Sequence, residues 1–189
     1  MTKTASLFRC YLAGVLAVLA AVAAGPALAQ SDKGADAGTA REVREVPQNL
    51  FNDPFEQLSR DLPHCPEPLG PRLPESQRST VAHNRIERGT TCWLAGRCRL
   101  AHSTDYDPEI AQTVLPKLKA SPALQGTSLW VYFFARNVYL QGCAADPAQV
   151  DALAAIAREH PDVFTVVPTV RTDARQPLPY EAMPQAAGQ

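Results

Sequence analysis

The chain has 189 residues, 46% of them hydrophobic, with 18 Lys and Arg against 19 Asp and Glu and a net charge of −1. That length supports one core of ordinary size. The slightly acidic balance argues against a nucleic-acid partner, which would call for a basic surface.

Lys3 and Arg9 precede an apolar run from Tyr11 to Ala24, and Ala27-Leu28-Ala29 supplies small residues before Gln30. A charged start, a short apolar middle and an A-x-A end predict a secretory signal peptide over residues 1–29, cleaved after Ala29. The run is shorter than the roughly 20 residues a membrane span needs. Position 30 is Gln and not Cys, so the lipoprotein pattern is absent. The mature product is expected to be exported and peripheral to any membrane. Without Lys3 and Arg9 it carries 16 basic and 19 acidic residues.

Residues 30–46 are small and charged without periodicity, which predicts a disordered linker. Seven prolines between Pro47 and Pro74 argue against a helix or a central strand and for an extended, wrapping segment. A short helix is expected near 75–88. Arg78, Arg85 and Arg88 fall on one side of it, and Gly89 is placed to end it. Residues 72–99 hold six Arg against two Glu, so this stripe is the candidate contact for phosphates or acidic glycans. Its plainer reading is a solvated helix face.

Cys10 leaves with the signal, and Cys65, Cys92, Cys98 and Cys143 remain. In an oxidising compartment they predict two disulfides with three possible connectivities. A zinc site would recruit His64, His83 or His102 beside Cys92 and Cys98, but tight C-x2-C spacing is missing. No metal and no cofactor are expected, and thioredoxin-like C-x-x-C chemistry lacks its motif.

From residue 105 the pattern becomes regular. Asp107-Pro108-Glu109 reads as an N-cap, a first-turn proline and an early acid. Ile110, Val114 and Leu118 give one apolar stripe, and Pro116 predicts a kink or an early stop. A hairpin follows, with Arg136-Asn137 as its turn. Ala135 would then face Val138, Phe133 would face Leu140 and Val131 would face Gly142. One face holds Leu129, Val131, Phe133, Ala135, Val138 and Leu140, and should pack under the helices. The other holds Trp130, Tyr132, Phe134, Tyr139, Gln141 and Cys143.

The next helix opens with Asp146 as cap, Pro147 inside it and Gln149 as capping-box partner. Val150, Leu153, Ala154 and Ala157 line one side, and Pro161 closes the run. A strand over 163–167 meets Pro168, which places it at a sheet edge or ends it there. Helix, hairpin, helix, strand predicts an α+β fold, a small mixed sheet with two helices packed on one face. The Pro- and Ala-rich tail, 174–189, reads as disordered.

Residues 105–173 resemble a BON domain, a small module of exported bacterial envelope proteins. Val138-Tyr139-Leu140-Gln141-Gly142 matches that family's V-x-L-x-G strand, and Val163 and Val166 match its last strand. Asn137 and Asp162 stand where the family favours glycine, and Pro116 interrupts the first helix. The resemblance implies an αββαβ arrangement in a non-enzymatic periplasmic protein. It also implies a role in envelope integrity and osmotic stress, with phospholipid head groups or an envelope protein as partner. The Pro/Cys-rich segment 47–104 lies outside it. The BON-like stretch itself carries five basic and eight acidic residues, so phosphate attraction falls to the arginines of 72–99.

Two other classes compete with lipid binding. One is a protein-docking subunit of an envelope assembly. The other is a hydrolase-type enzyme, using His102, Asp105 and Asp107 as an acid–base group or Cys143 as a nucleophile. No G-x-S-x-G elbow or comparable signature accompanies them. Asp107 is better explained as a cap, His102 as an exposed strand end and Cys143 as a disulfide partner, so no catalytic residue is assigned.

Trp130, Tyr132, Phe134 and Tyr139 form an aromatic face too large to leave bare without cost. Cys143 shares that face, so its disulfide must reach something lying over it. The segment from Phe51 to Arg99 has the length and the cysteines, and is expected to wrap there. The favoured pairing is Cys98–Cys143 with Cys65–Cys92; Cys92–Cys98 with Cys65–Cys143 is the alternative.

Overall fold

The computed structural model describes residues 45–184. The expected signal peptide and nearly all of the expected linker lie outside that range, as do residues 185–189. The fold is mixed α+β, built on a four-stranded sheet.

The core forms where the apolar spacings required it. Helix α3, Asp107–Lys119, buries Ile110, Ala111, Val114 and Leu118. Helix α4, Pro147–Arg158, buries Val150, Leu153, Ala154 and Ala157, and opens with the full capping box between Asp146 and Gln149. Both pack on the aliphatic face of strands β2, Ser128–Phe134, and β3, Asn137–Cys143. Leu129, Val131, Phe133, Val138 and Leu140 are almost wholly excluded from water there. Each such side chain contributes about 1.5–3 kcal/mol of burial, so this layer dominates stability.

Of the two expected effects of Pro116, the early stop does not occur. Helix α3 runs through it to Lys119. Gln112 and Pro116 are both exposed. The Gln112 carbonyl that loses its helical donor therefore faces solvent, and the remaining half-turn is held by Leu118 in the core.

Strand β4, Thr165–Arg171, pairs parallel with β3 and forms one edge of the sheet. It starts later than expected and continues past Pro168, which an edge position permits. At the opposite edge lies β1, Phe55–Gln57, antiparallel to β2. The order across the sheet is β1-β2-β3-β4. The proline-rich chain continues along β2 beyond β1, with Leu58 N donating to Leu129 O at 2.8 Å and Asp61 N to Thr127 O at 2.8 Å.

The hairpin turn is Ala135-Arg136, not Arg136-Asn137, so Phe133 faces Val138 and Val131 faces Leu140. Moving the turn by one residue shifts the register by two, which leaves both faces as assigned. Ala135 and Arg136 take φ values of 51° and 67°, left-handed at both central positions. For non-glycine residues this costs roughly 1–2 kcal/mol each. The Asp107 carboxylate offsets it, accepting from Ala135 N at 2.7 Å and Arg136 N at 2.8 Å. Asn137 Nδ2 adds bonds to the carbonyls of Phe134 and Ala135. Asp107 is consequently not the cap of α3: it is the first helical residue, and its side chain holds the turn.

The tail also differs from expectation. Residues 174–184 are ordered against the proline-rich segment. Tyr180 is buried and its hydroxyl donates to Pro66 O at 2.7 Å, while Leu69 N donates to Glu181 O and Met183 N to Glu67 O.

The disulfides are Cys65–Cys143 and Cys92–Cys98, with Cα separations of 5.8 and 5.3 Å. The favoured pairing is thus replaced by its alternative. Helix α2, Thr90–Leu94, turns back on itself through Gly96, bringing Cys98 to Cys92. Residue 65 instead sits beside the end of β3, because 54–62 has run the length of β2 to reach it.

Candidate functional site

The aromatic face is not a free surface. Tyr132 and Tyr139 stack with centroids 4.3 Å apart, and Phe55 of β1 meets Tyr132 edge-on at 6.3 Å. Arg72 lies over the Phe55 ring at 4.7 Å. Trp130 is buried beneath the segment carrying Leu62 and Cys65. Burial pushes the Tyr132 hydroxyl well above the usual phenol range, with Tyr139 and Asp53 adding to it.

The three arginines of the predicted stripe, on helix α1 (Arg78–Glu87) and just after it, do different work. Arg78 pairs with Glu75 at 2.5 Å. Arg85 turns inward: its guanidinium grips both oxygens of buried Asp53 at 2.6 and 3.0 Å and covers the rings of Phe51 and Phe134. Arg88 overlies Phe134 at 5.1 Å and has no carboxylate partner among the described residues. The stripe is not one anion-binding face. Arg85 is a structural clamp between α1 and the aromatic face, because Asp53 needs a paired cation once buried.

No side-chain hydrogen bond joins the acid–base grouping imagined for an enzyme, among the described residues. His102 Nδ1 lies 2.9 Å from Ile86 O, Asp105 is exposed, Asp107 holds the hairpin turn and Cys143 is in a disulfide. No cluster of His, Cys, Asp and Glu able to hold a metal occurs among the described residues.

Asp107 has a different consequence. Burial pushes its carboxyl up to about 6, against the pull of its two backbone donors. With the folded value raised, the protonated form favours folding. Its contribution is therefore full below the ordinary value of 3.8 and lost as pH rises through about 6. The stability of the wild-type protein relative to Asp107→Asn should fall by about 2–3 kcal/mol between these limits. Denaturant titrations across this range measure it, and a constant difference between the two proteins would rule out the raised value.

What sequence reading missed is an exposed apolar set. Ile86 on α1, Trp93 and Leu94 on α2, and Phe164 before β4 are all exposed, Leu94 at 73% and Phe164 at 78%. Phe164 borders a groove of about 370 Å³ shared with Arg88, Cys92, Cys98 and Arg136. Arg97, also exposed, lies on the Cys92–Cys98 loop and has no carboxylate partner among the described residues. The available signal was Trp93-Leu94 between cysteines six residues apart, a loop too short to fold over its own apolar side chains.

Fold and surface together define a disulfide-stapled α+β module with a partly covered aromatic layer and exposed apolar side chains on α1, on α2 and before β4. No family model, curated protein or solved structure matches the chain. No described helix is long and apolar enough to cross a membrane.

Proposed function

We propose that this chain is a non-enzymatic, exported envelope protein with a BON-like domain, bound peripherally to anionic phospholipid and supporting envelope integrity. The observation that carries the reading is the exposure of Ile86, Trp93, Leu94 and Phe164, with Arg88 in the groove that Phe164 borders and Arg97 exposed in the loop after α2. Apolar side chains that enter the head-group region, with tryptophan at the interface and cations beside them, are what interfacial binding requires. The BON-like assignment is supported by the order α3, β2, β3, α4, β4 and by Gly142 at the motif glycine. Export is supported by the two disulfides, which suit an oxidising compartment.

The contact residues differ from the stripe expected at first. Arg85 and Arg78 are engaged within the fold, which leaves Arg88 and Arg97 for head groups. Each cation near an anionic surface contributes about 1 kcal/mol, so Arg88→Ala with Arg97→Ala should weaken binding roughly thirtyfold. Leu94→Ser should weaken it further, and added salt should weaken it in the wild type. Co-sedimentation with phosphatidylglycerol vesicles, against phosphatidylcholine vesicles, tests this. Equal binding by wild type and variants would refute the lipid site. Envelope crosslinks to a protein through Trp93 or Leu94 would favour the docking reading.

A further inference from the structure

The two disulfides stand in different chemical surroundings. Cys65–Cys143 opens onto a cleft of about 280 Å³ lined by Leu62, Pro63, His64, Ala144, Arg171 and Thr172. Its two sulfurs are unequal. Cys65 is partly exposed, whereas Cys143 is 6% exposed. The Arg171 guanidinium lies 3.7 Å from Cys143 Sγ, and no carboxylate pairs with it among the described residues. Cys65 Sγ instead faces a carbonyl, Ser128 O, at 3.6 Å. The Tyr180 hydroxyl is near both sulfurs, but its proton is committed to Pro66 O.

A cation beside a neutral disulfide sulfur does little. Beside a thiolate it matters, because it lowers the thiol pKa and makes that sulfur the better leaving group. A carbonyl oxygen beside the other sulfur has the opposite effect. Exposure and charge thus agree on one polarity: attack at Cys65, departure of Cys143.

We propose that Cys65–Cys143 is a thiol–disulfide exchange site for a protein dithiol, with Arg171 as the residue that positions and stabilises the departing Cys143 thiolate. The partner's thiolate attacks Cys65 Sγ, the Cys65–Cys143 bond breaks and its electron pair leaves with Cys143. The partner's second thiolate then attacks the mixed disulfide and releases Cys65. The protein gains two electrons and the two protons given up by the partner's thiols, and the partner becomes a disulfide. Run backwards, the same steps install the bridge. Reduction removes the covalent tie between residue 65 and the end of β3, while the Leu62–Ser128 and Tyr180–Pro66 hydrogen bonds still hold the flanking residues.

The test uses the purified oxidised chain under native conditions, with thioredoxin as the dithiol probe. Its second cysteine is replaced by serine to trap the mixed disulfide. After alkylation and peptide mapping, the adduct is expected on Cys65 and the alkyl group on Cys143. Arg171→Gln should slow the reaction about threefold or more, while Arg171→Lys keeps most of the rate. Thermal melts of the oxidised variants separate this from a loss of folding, since destabilisation would speed reduction and not slow it. An adduct on Cys143, reaction confined to Cys92–Cys98, or an unchanged rate in Arg171→Gln would each overturn the proposal.

Discussion

Gly142→Ala is expected to remove about 3 kcal/mol or more of stability, a large part of what a domain of this size possesses. Gly142 sits in β3 with φ at 130°, which an L side chain adopts only under strain. A Cβ there would lie 2.1 Å from the Ser128 carbonyl oxygen and 3.0 Å from Leu129 Cα. Both are backbone atoms of β2, so no side chain can swing aside, and the strand pair must separate. Thermal midpoints should fall by roughly 10 °C, at 2–4 °C per kcal/mol. Gly126→Ala is the control: φ there is 70°, but nothing lies within 4 Å of the added atom. It should show backbone strain alone, about 1 kcal/mol. Equal losses in the two variants would remove close approach as the reason for glycine at 142.

The second large effect separates the two bridges. Cys65 and Cys143 are 78 residues apart, whereas Cys92 and Cys98 are six apart. In the chain-entropy account, the longer loop restricts the unfolded state by about 4–5 kcal/mol and the shorter by about 2 kcal/mol. Replacing both cysteines of the first pair by serine should therefore lower the denaturant midpoint about twice as far. It should also loosen the cover over Trp130 and raise the exposure of its indole, which fluorescence reads. Equal midpoint shifts would mean that the 62–66 segment stays in place without its bond. This stabilisation is compatible with exchange at the same bridge. Folding sets how reducing the dithiol must be, and Arg171 sets which sulfur it attacks.

The candidate site was legible in part. The four cysteines, the aromatic face and the need to cover it were readable, because strand parity alone sorts Trp130, Tyr132, Phe134 and Tyr139 from the aliphatic residues. The fate of the arginines was not. Arg78, Arg85 and Arg88 are alike by spacing, and Arg85 differs only because Asp53, 32 residues earlier, is buried within its reach. The exposed Trp93, Leu94 and Phe164 were missed for the converse reason: exposure depends on what fails to arrive.

By itself the sequence determined what is decided within a few residues of the chain. That covers the apolar stripes of α3 and α4, the Asp146–Gln149 capping box, the alternation of the hairpin and the extended course of the proline-rich segment. These follow from helical spacing, strand parity and the missing N–H of proline, none of which depends on a distant partner. Tertiary structure alone decided the placement of the turn at Ala135-Arg136, the pairing of Cys65 with Cys143 and the need for glycine at 142. In each, the deciding group comes from elsewhere: Asp107 accepting the turn's two N–H groups, β2 carrying residue 65 to the end of β3, and the Ser128 carbonyl filling the space a Cβ would take.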